Sequence, residues 1–244
     1  MLEGRREIVR WVADRLTVVA AAWLAAGLAL SAFVIWAFTE LADVVVEGES
    51  RAFDRAVLLW IHTTFPSWLE GPMRFVTALG YYWFVVLLLV VVVPLFYQRG
   101  WRLSAILLLI STAGSAVLTT VLKSVFQRAR PELFDSGYHA SFYSFPSGHA
   151  TVAVGLYGML TLVLAYRLRG TARWAVVVSG ILVVLLIGFS RLYLGVHYPT
   201  DVVAGYLAAL LWLVCVGAVY ALWLSVRSVG AAESSRRVVS DPDG

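Results

Sequence analysis

Six stretches of this chain carry no charged side chain over seventeen residues or more: Leu16 to Thr39, Phe75 to Gln98, Leu103 to Leu122, Ala150 to Tyr166, Trp174 to Ser190 and Val202 to Val226. An α-helix needs about 20 apolar residues to cross some 30 Å of hydrocarbon, and only helices and closed barrels satisfy their backbone there. Composition decides that these runs are spans rather than core helices: 61% of the residues are hydrophobic and 14% charged, against about 25% charged in a soluble domain. The expected fold is therefore all-α, a polytopic membrane protein with six transmembrane helices. The two 17-residue runs reach full length by drawing polar flanks into the interface. The 24-residue first run exceeds the about 7 to 15 residues of a cleavable signal and is read as a retained helix.

Six spans put the N-terminus, the "QRGWR" and "RLRGTAR" turns and the C-terminal tail on one side. That side carries 12 of the 19 basic residues, against seven on the other. Lysine and arginine are retained in the cytoplasm during insertion, so both termini are expected to be cytoplasmic. The net charge of +4 suits anionic headgroups, and no basic cluster on a soluble face implies nucleic acid. The single cysteine, Cys215, leaves no internal disulfide and is expected to pack. Between the first two spans, Phe53, Ala56, Val57, Trp60, Ile61 and Thr64 recur at helical spacing with Asp54 and Arg55 off the stripe. This fits either a helix lying in the outer interface or a loop over the helix ends. Residues 1–229 read as one membrane domain, and 230–244, poor in apolar residues, as a disordered cytoplasmic tail.

The outer basic residues gather at helix ends. In "KSVFQRARP", Lys123 and Arg130 lie two turns apart and share a face if the third helix runs on to Pro131, which would stop it. In "PSGHA", Ser147 suits an N-cap, and Gly148 leaves the backbone open where free N–H groups bind anions. In "SRLYLGVHYPTD", Ser190 and Arg191 close the fifth helix. His197 follows, and Pro199 places Asp201 in the first turn of the sixth, in reach of His197. Lys123, Arg130 and Arg191 suit a phosphoryl group, with arginine as a planar fork and lysine as a point charge. His197 backed by Asp201 has the pattern of a base or nucleophile oriented by a carboxylate, and His149 is left to move a proton. Each of these residues taken alone is an ordinary interfacial polar group. Gathered at membrane depth they point to function. His62 and His139 show no partner pattern and read as surface residues.

These stretches resemble the signature of the type 2 phosphatidic acid phosphatase family, whose superfamily includes vanadium haloperoxidases and bacterial acid phosphatases. The signature K-x6-R-P, P-S-G-H and S-R-x5-H-x3-D is matched at Lys123, Arg130 and Pro131, at Pro146, Ser147, Gly148 and His149, and at Ser190, Arg191, His197 and Asp201. Residues 123–201 form this motif core, and six spans are similar to the bacterial integral-membrane branch. The resemblance implies a lipid phosphatase with its site on the outer face. His197 would take the phosphoryl group as phosphohistidine, Asp201 would hold its imidazole, and His149 would protonate the leaving oxygen and then activate water. Lys123, Arg130, Arg191, Ser147 and the Gly148 N–H would hold the phosphoryl oxygens. No metal and no cofactor are expected, and membrane lipids and a lipid phosphate are the expected partners. Undecaprenyl pyrophosphate ranks slightly ahead of phosphatidylglycerol phosphate or phosphatidic acid. A transporter of phosphorylated lipid or anion is the alternative from another class, but transporters hold such groups near the midplane, not at helix ends on one side. A vanadate-dependent haloperoxidase shares the cradle, and six spans argue against it. Oligomeric state is not legible.

Overall fold

A computed structural model describes residues 25–134, 137–138 and 140–240, with side chains described as far as Tyr220. The helices are α1 (Ala25–Val46), α2 (Arg51–Thr64), α3 (Glu70–Ala78), α4 (Tyr82–Gln98), α5 (Arg102–Phe126), α6 (Gly148–Ala153), α7 (Met159–Arg167), α8 (Gly170–Tyr193) and α9 (Pro199–Ser240). Five helical segments are long and apolar enough to cross a membrane, and the bent pair α3 and α4 brings the number to six. The expected all-α, multi-pass architecture is present.

The elements depart from the sequence expectation at four places. The second span is not one rod: α3, with a short 3₁₀ turn before it, meets α4 at 51°. The break falls at Leu79 to Tyr81, where the N–H groups turn back to carbonyls three residues earlier. A Cβ on Gly80 would lie 3.0 Å from the His149 ring and from Ile187, so the glycine lets the bend press against the site. The first helix runs past Thr39 to Val46, taking in Glu40 and Asp43; its expected start lies outside the described residues. The last helix continues to Ser240, covering residues 230–240 that were expected to be irregular. The stretch "GAAESSRRVVS" holds no proline that would stop the helix. Cys215 is exposed rather than packed.

α6 and α7 form one span, Gly148–Arg167, through a π-turn at Val154–Gly158. α6 packs on α9, α5 on α9, and α7 and α3 on α8. Leu108, Leu156, Met159, Val163 and Val216 make the dry centre, while Val86, Leu87, Val90, Ile181, Leu182 and Leu185 stay exposed, as side chains facing lipid do. Two glycines allow close approaches beside the site. A Cβ on Gly155 would sit 2.2 Å from Ser115 Oγ, and one on Gly205 would sit 2.8 Å from the Ser147 carbonyl. The second contact brings α9 against the start of α6, so that the elements carrying Asp201 and His149 meet.

α2 corrects its own reading. The face turned to the protein is Asp54, Leu58 and Ile61, all buried, whereas Phe53 and Trp60 are exposed. Of the apolar stripe, Phe53 and Trp60 thus face outward while Ile61 packs inward, and Asp54, off the stripe, is 0% exposed.

Candidate active site

The site is built at one end of the bundle, where α5 ends, α6 and α9 begin and α8 closes. α5 stops at Phe126, four residues short of Arg130, because Gln127 adopts a left-handed conformation (φ 45°). Lys123 and Arg130 therefore do not share a helix face as expected. Arg130 arrives on the loop that follows, held by its own hydrogen bonds: Nη1 to the Val196 carbonyl at 2.7 Å, Nε to that of Phe142 at 2.8 Å and Nη2 to that of Ser141 at 2.9 Å. Lys123 Nζ donates to the Tyr143 carbonyl. The loop is pinned to the bundle by Ser144 N–H on the Arg128 carbonyl (2.8 Å) and Ser147 N–H on the Asp201 carbonyl (2.9 Å).

His197 is 2% exposed. Its Nε2 stands 3.1 Å from Arg130 Nη1. A guanidinium only donates, so Nε2 is the acceptor and carries the lone pair, which puts the ring proton on Nδ1. Nδ1 faces Asp201 Oδ2 and Ser144 Oγ, each at 3.3 Å. Burial pushes the His197 imidazole down to about 3, outweighing the pull of Asp201 in the other direction. The ring is thus neutral at physiological pH, with its electron pair on the atom that faces Arg130.

Asp201, 0% exposed, uses both oxygens. Oδ2 accepts from Tyr198 N–H at 2.8 Å and from the Ser144 hydroxyl, and Oδ1 accepts from Arg128 Nη1 at 2.6 Å. Arg128 also reaches Asp54 Oδ2 at 2.7 Å. Burial works against the Arg128 charge, yet Asp201 and Asp54 together raise its pKa above the usual range. Ser144, Arg128 and Asp54 went unassigned in the sequence reading.

The cations of the signature behave differently from Arg128. Among the described residues, no carboxylate lies within ion-pairing distance of Lys123, Arg130 or Arg191. Arg191 is 1% exposed, with Nη1 on Thr77 Oγ1 at 2.6 Å and on Tyr138 Oη at 3.3 Å. Arg130 is lowered to about 10 by burial and then by the charge of Arg191, a sign of cations crowded together, and it remains charged at neutral pH. Among the described residues five buried polar atoms have no hydrogen-bond partner, and three of them belong to the signature: Ser147 Oγ, His149 Nε2 and Arg191 Nε. The His149 ring lies within electrostatic reach of Arg191, His197, Arg130 and Lys123. A Cβ on Gly148 would sit 3.3 Å from Thr119 Cγ2 and 3.9 Å from Lys123 Cε, so the helix start faces the lysine directly. Every expected site residue therefore belongs to one cluster. His62 is exposed and stacks on Phe134 (centroids 4.0 Å apart), and His139 lies outside the described residues. A cavity of about 470 Å³ adjoins Arg130, lined also by Tyr138, Phe134 and Gly195.

One end of a helical membrane bundle thus gathers cations that have no carboxylate partner among the described residues, together with open donors, around a neutral histidine. The chain belongs to the PAP2 superfamily, whose model matches residues 104–224. It is 35% identical over 119 residues to phosphatidylglycerophosphatase B of Bacillus subtilis (48% of this chain, 57% of that one). It is 36% identical over 107 residues to an undecaprenyl-diphosphatase of Sulfolobus acidocaldarius (42% and 48%). The chain thus spans about half the length of these curated relatives. The crystal structure of a transmembrane PAP2-type phosphatidylglycerolphosphate phosphatase from Bacillus subtilis matches with a TM-score of 0.71 at 29% identity, covering 77% of this chain and 94% of that one. The structure of Aquifex aeolicus LpxE, at 22% identity and a TM-score of 0.55, shares the fold.

Proposed function

We propose that the protein is a metal-independent lipid phosphatase working through a phosphohistidine on His197. The observation that carries this reading is the set of three cations, Lys123, Arg130 and Arg191, without a carboxylate partner among the described residues, around the lone pair of His197 Nε2. Buried unpaired charges are costly, and a phosphoryl group in their midst would offset that cost while gaining preorganised stabilisation as charge develops. In the first step Nε2 bonds to phosphorus, the bond to the leaving oxygen breaks, and His149 gives that oxygen a proton. In the second, His149 takes a proton from water, the water oxygen bonds to phosphorus, and the Nε2–phosphorus bond breaks. Ser147 Oγ and Arg191 Nε, both without a hydrogen-bond partner, are donors for the transferring oxygens.

The donor set is cationic, and among the described residues no group of three His, Cys, Asp or Glu side chains could hold a metal ion. Phosphate release is expected to persist in excess chelator and to be inhibited by vanadate, whose trigonal bipyramid on Nε2 resembles the transition state. A strict need for magnesium would overturn the mechanism. Helix-end placement keeps the substrate's chain in hydrocarbon while the phosphate enters the cluster. The sequence ranking put undecaprenyl pyrophosphate first. The likeness to the phosphatidylglycerolphosphate phosphatase over 77% of the chain moves phosphatidylglycerol phosphate ahead. The ratio of kcat/KM on these two lipids, phosphatidic acid and a soluble monoester in one detergent tests both rankings, and a preference for the soluble ester would sink the lipid assignment.

The site is proposed to face the outer side, with both termini cytoplasmic, in one domain spanning residues 1–229. Gly137→Cys is expected to react with an impermeant thiol reagent from outside intact cells. Labelling only after the membrane is opened would invert this topology.

A further inference from the structure

We infer that Asp54 and Arg128 form a positioning clamp for Asp201, so that α2, which lies outside the matched residues 104–224, is part of the catalytic unit. The inference rests on the reading of His197 as nucleophile. The two Asp201 oxygens have separate tasks: Oδ2 receives Tyr198 N–H and Ser144 and faces His197 Nδ1, while Oδ1 is held by Arg128 at 2.6 Å. Without that second hold, the carboxylate turns about its own bond and exchanges the oxygen that orients the imidazole.

Arg128 is itself fixed in several ways, among them Ser50 Oγ accepting from Nη2 at 3.3 Å. Asp54 Oδ2 takes the same nitrogen at 2.7 Å, Thr200 Oγ1 accepts from Nη1 at 2.8 Å, and the guanidinium carbon lies 4.2 Å from the centre of the Tyr198 ring. Asp54 in turn accepts from Thr200 N–H at 3.2 Å, so α2 grips the first turn of α9 beside Asp201. A pair serving only to dock α2 would need one carboxylate. Here a single planar fork spans two fully buried ones from different helices, which a lysine cannot do.

The test is kcat and KM for short-chain phosphatidic acid in detergent, with folded protein quantified by size-exclusion chromatography. Arg128→Met is expected to lower kcat by about 100-fold, the upper range for a partner that acts through another residue, with KM within about threefold because Lys123, Arg130 and Arg191 are untouched. Arg128→Lys is expected not to restore kcat. Asp54→Asn is expected to cost about tenfold alone and clearly less than that in the Arg128→Met background, since Asp54 acts mainly through Arg128 and only in part through Thr200. Should Arg128→Met not fold, Arg128→Lys and Asp54→Asn, singly and together, carry the same comparison. Unchanged kcat, a KM that rises as kcat falls, or additive losses would overturn the clamp alone. A wild-type protein that releases no phosphate would overturn the phosphatase reading and the clamp with it.

Discussion

His197→Ala is expected to form no phosphoenzyme and to lose on the order of 10⁵-fold or more in kcat, the scale seen when a nucleophile is removed from a preorganised site. Nothing in the cluster replaces it. Asp201 is occupied on both oxygens, and His149 carries no buried carboxylate behind its ring among the described residues. His149→Ala is expected to differ in kind. With a lipid phosphate, whose alkoxide must be protonated to leave, the loss should be about 10²- to 10⁴-fold, as for a positioned general acid. With p-nitrophenyl phosphate, whose leaving group needs no proton, the variant should phosphorylate His197 in a burst and then stall, because water is no longer activated. Labelling with ³²P, quenched in alkaline detergent because phosphohistidine is acid-labile, separates the two. Label retained by His197→Ala, or an equal block of both substrates in His149→Ala, would contradict the assigned roles.

Arg191→Lys is expected to lower kcat/KM by about 10² to 10³, as removal of one oxyanion donor does, although the charge is kept. Arg191 sits at 1% exposure with Nη1 committed to Thr77 and Tyr138 and with Nε free, so the geometry of the fork decides which donor points into the cluster. An ammonium on a flexible stem would settle on Thr77 and leave the Nε position empty. Thermal stability in detergent should change little beside that loss. Activity within threefold of wild type would show that charge alone suffices.

The signature residues were legible in the sequence because each stands at a helix end marked by a cap, a proline or a charge in an apolar context. What surrounds them was not. Asp54 read as a solvated residue because periodicity reports which side of α2 is apolar, not which side meets protein. In a membrane the apolar face can look outward to lipid while a polar one packs inward. Arg128 stood two residues before the signature arginine with no spacing to distinguish it, and its partners come from 74 residues before and 73 after it. Proline 131 was taken as the stop of α5, but the left-handed turn came earlier, at Gln127, which has no strong sequence marker. The bend at Gly80 was hidden for the opposite reason: hydropathy continues unbroken from Phe75 to Gln98 across a change of direction.

The π-turn at Val154–Gly158 governs the phase between the two halves of its span. Ser147, Thr151, Gly155, Met159 and Val163 are buried at steps of four. In an unbroken α-helix such a stripe rotates by about 40° per step and would have drifted nearly half a turn around the axis by Val163. The wider π-turn, at fewer degrees per residue, takes back about a quarter turn. The lower half can thus keep its face on the bundle core while the upper half presents Ser147 and His149 to the cations. The turn thus absorbs one residue with little change of phase between the halves. Deleting a single residue inside 154–158 would remove about 100° of winding while the restored α-helical turn returned about a quarter turn, so His149 would nearly keep its angular setting and the span would shorten by about 1.5 Å.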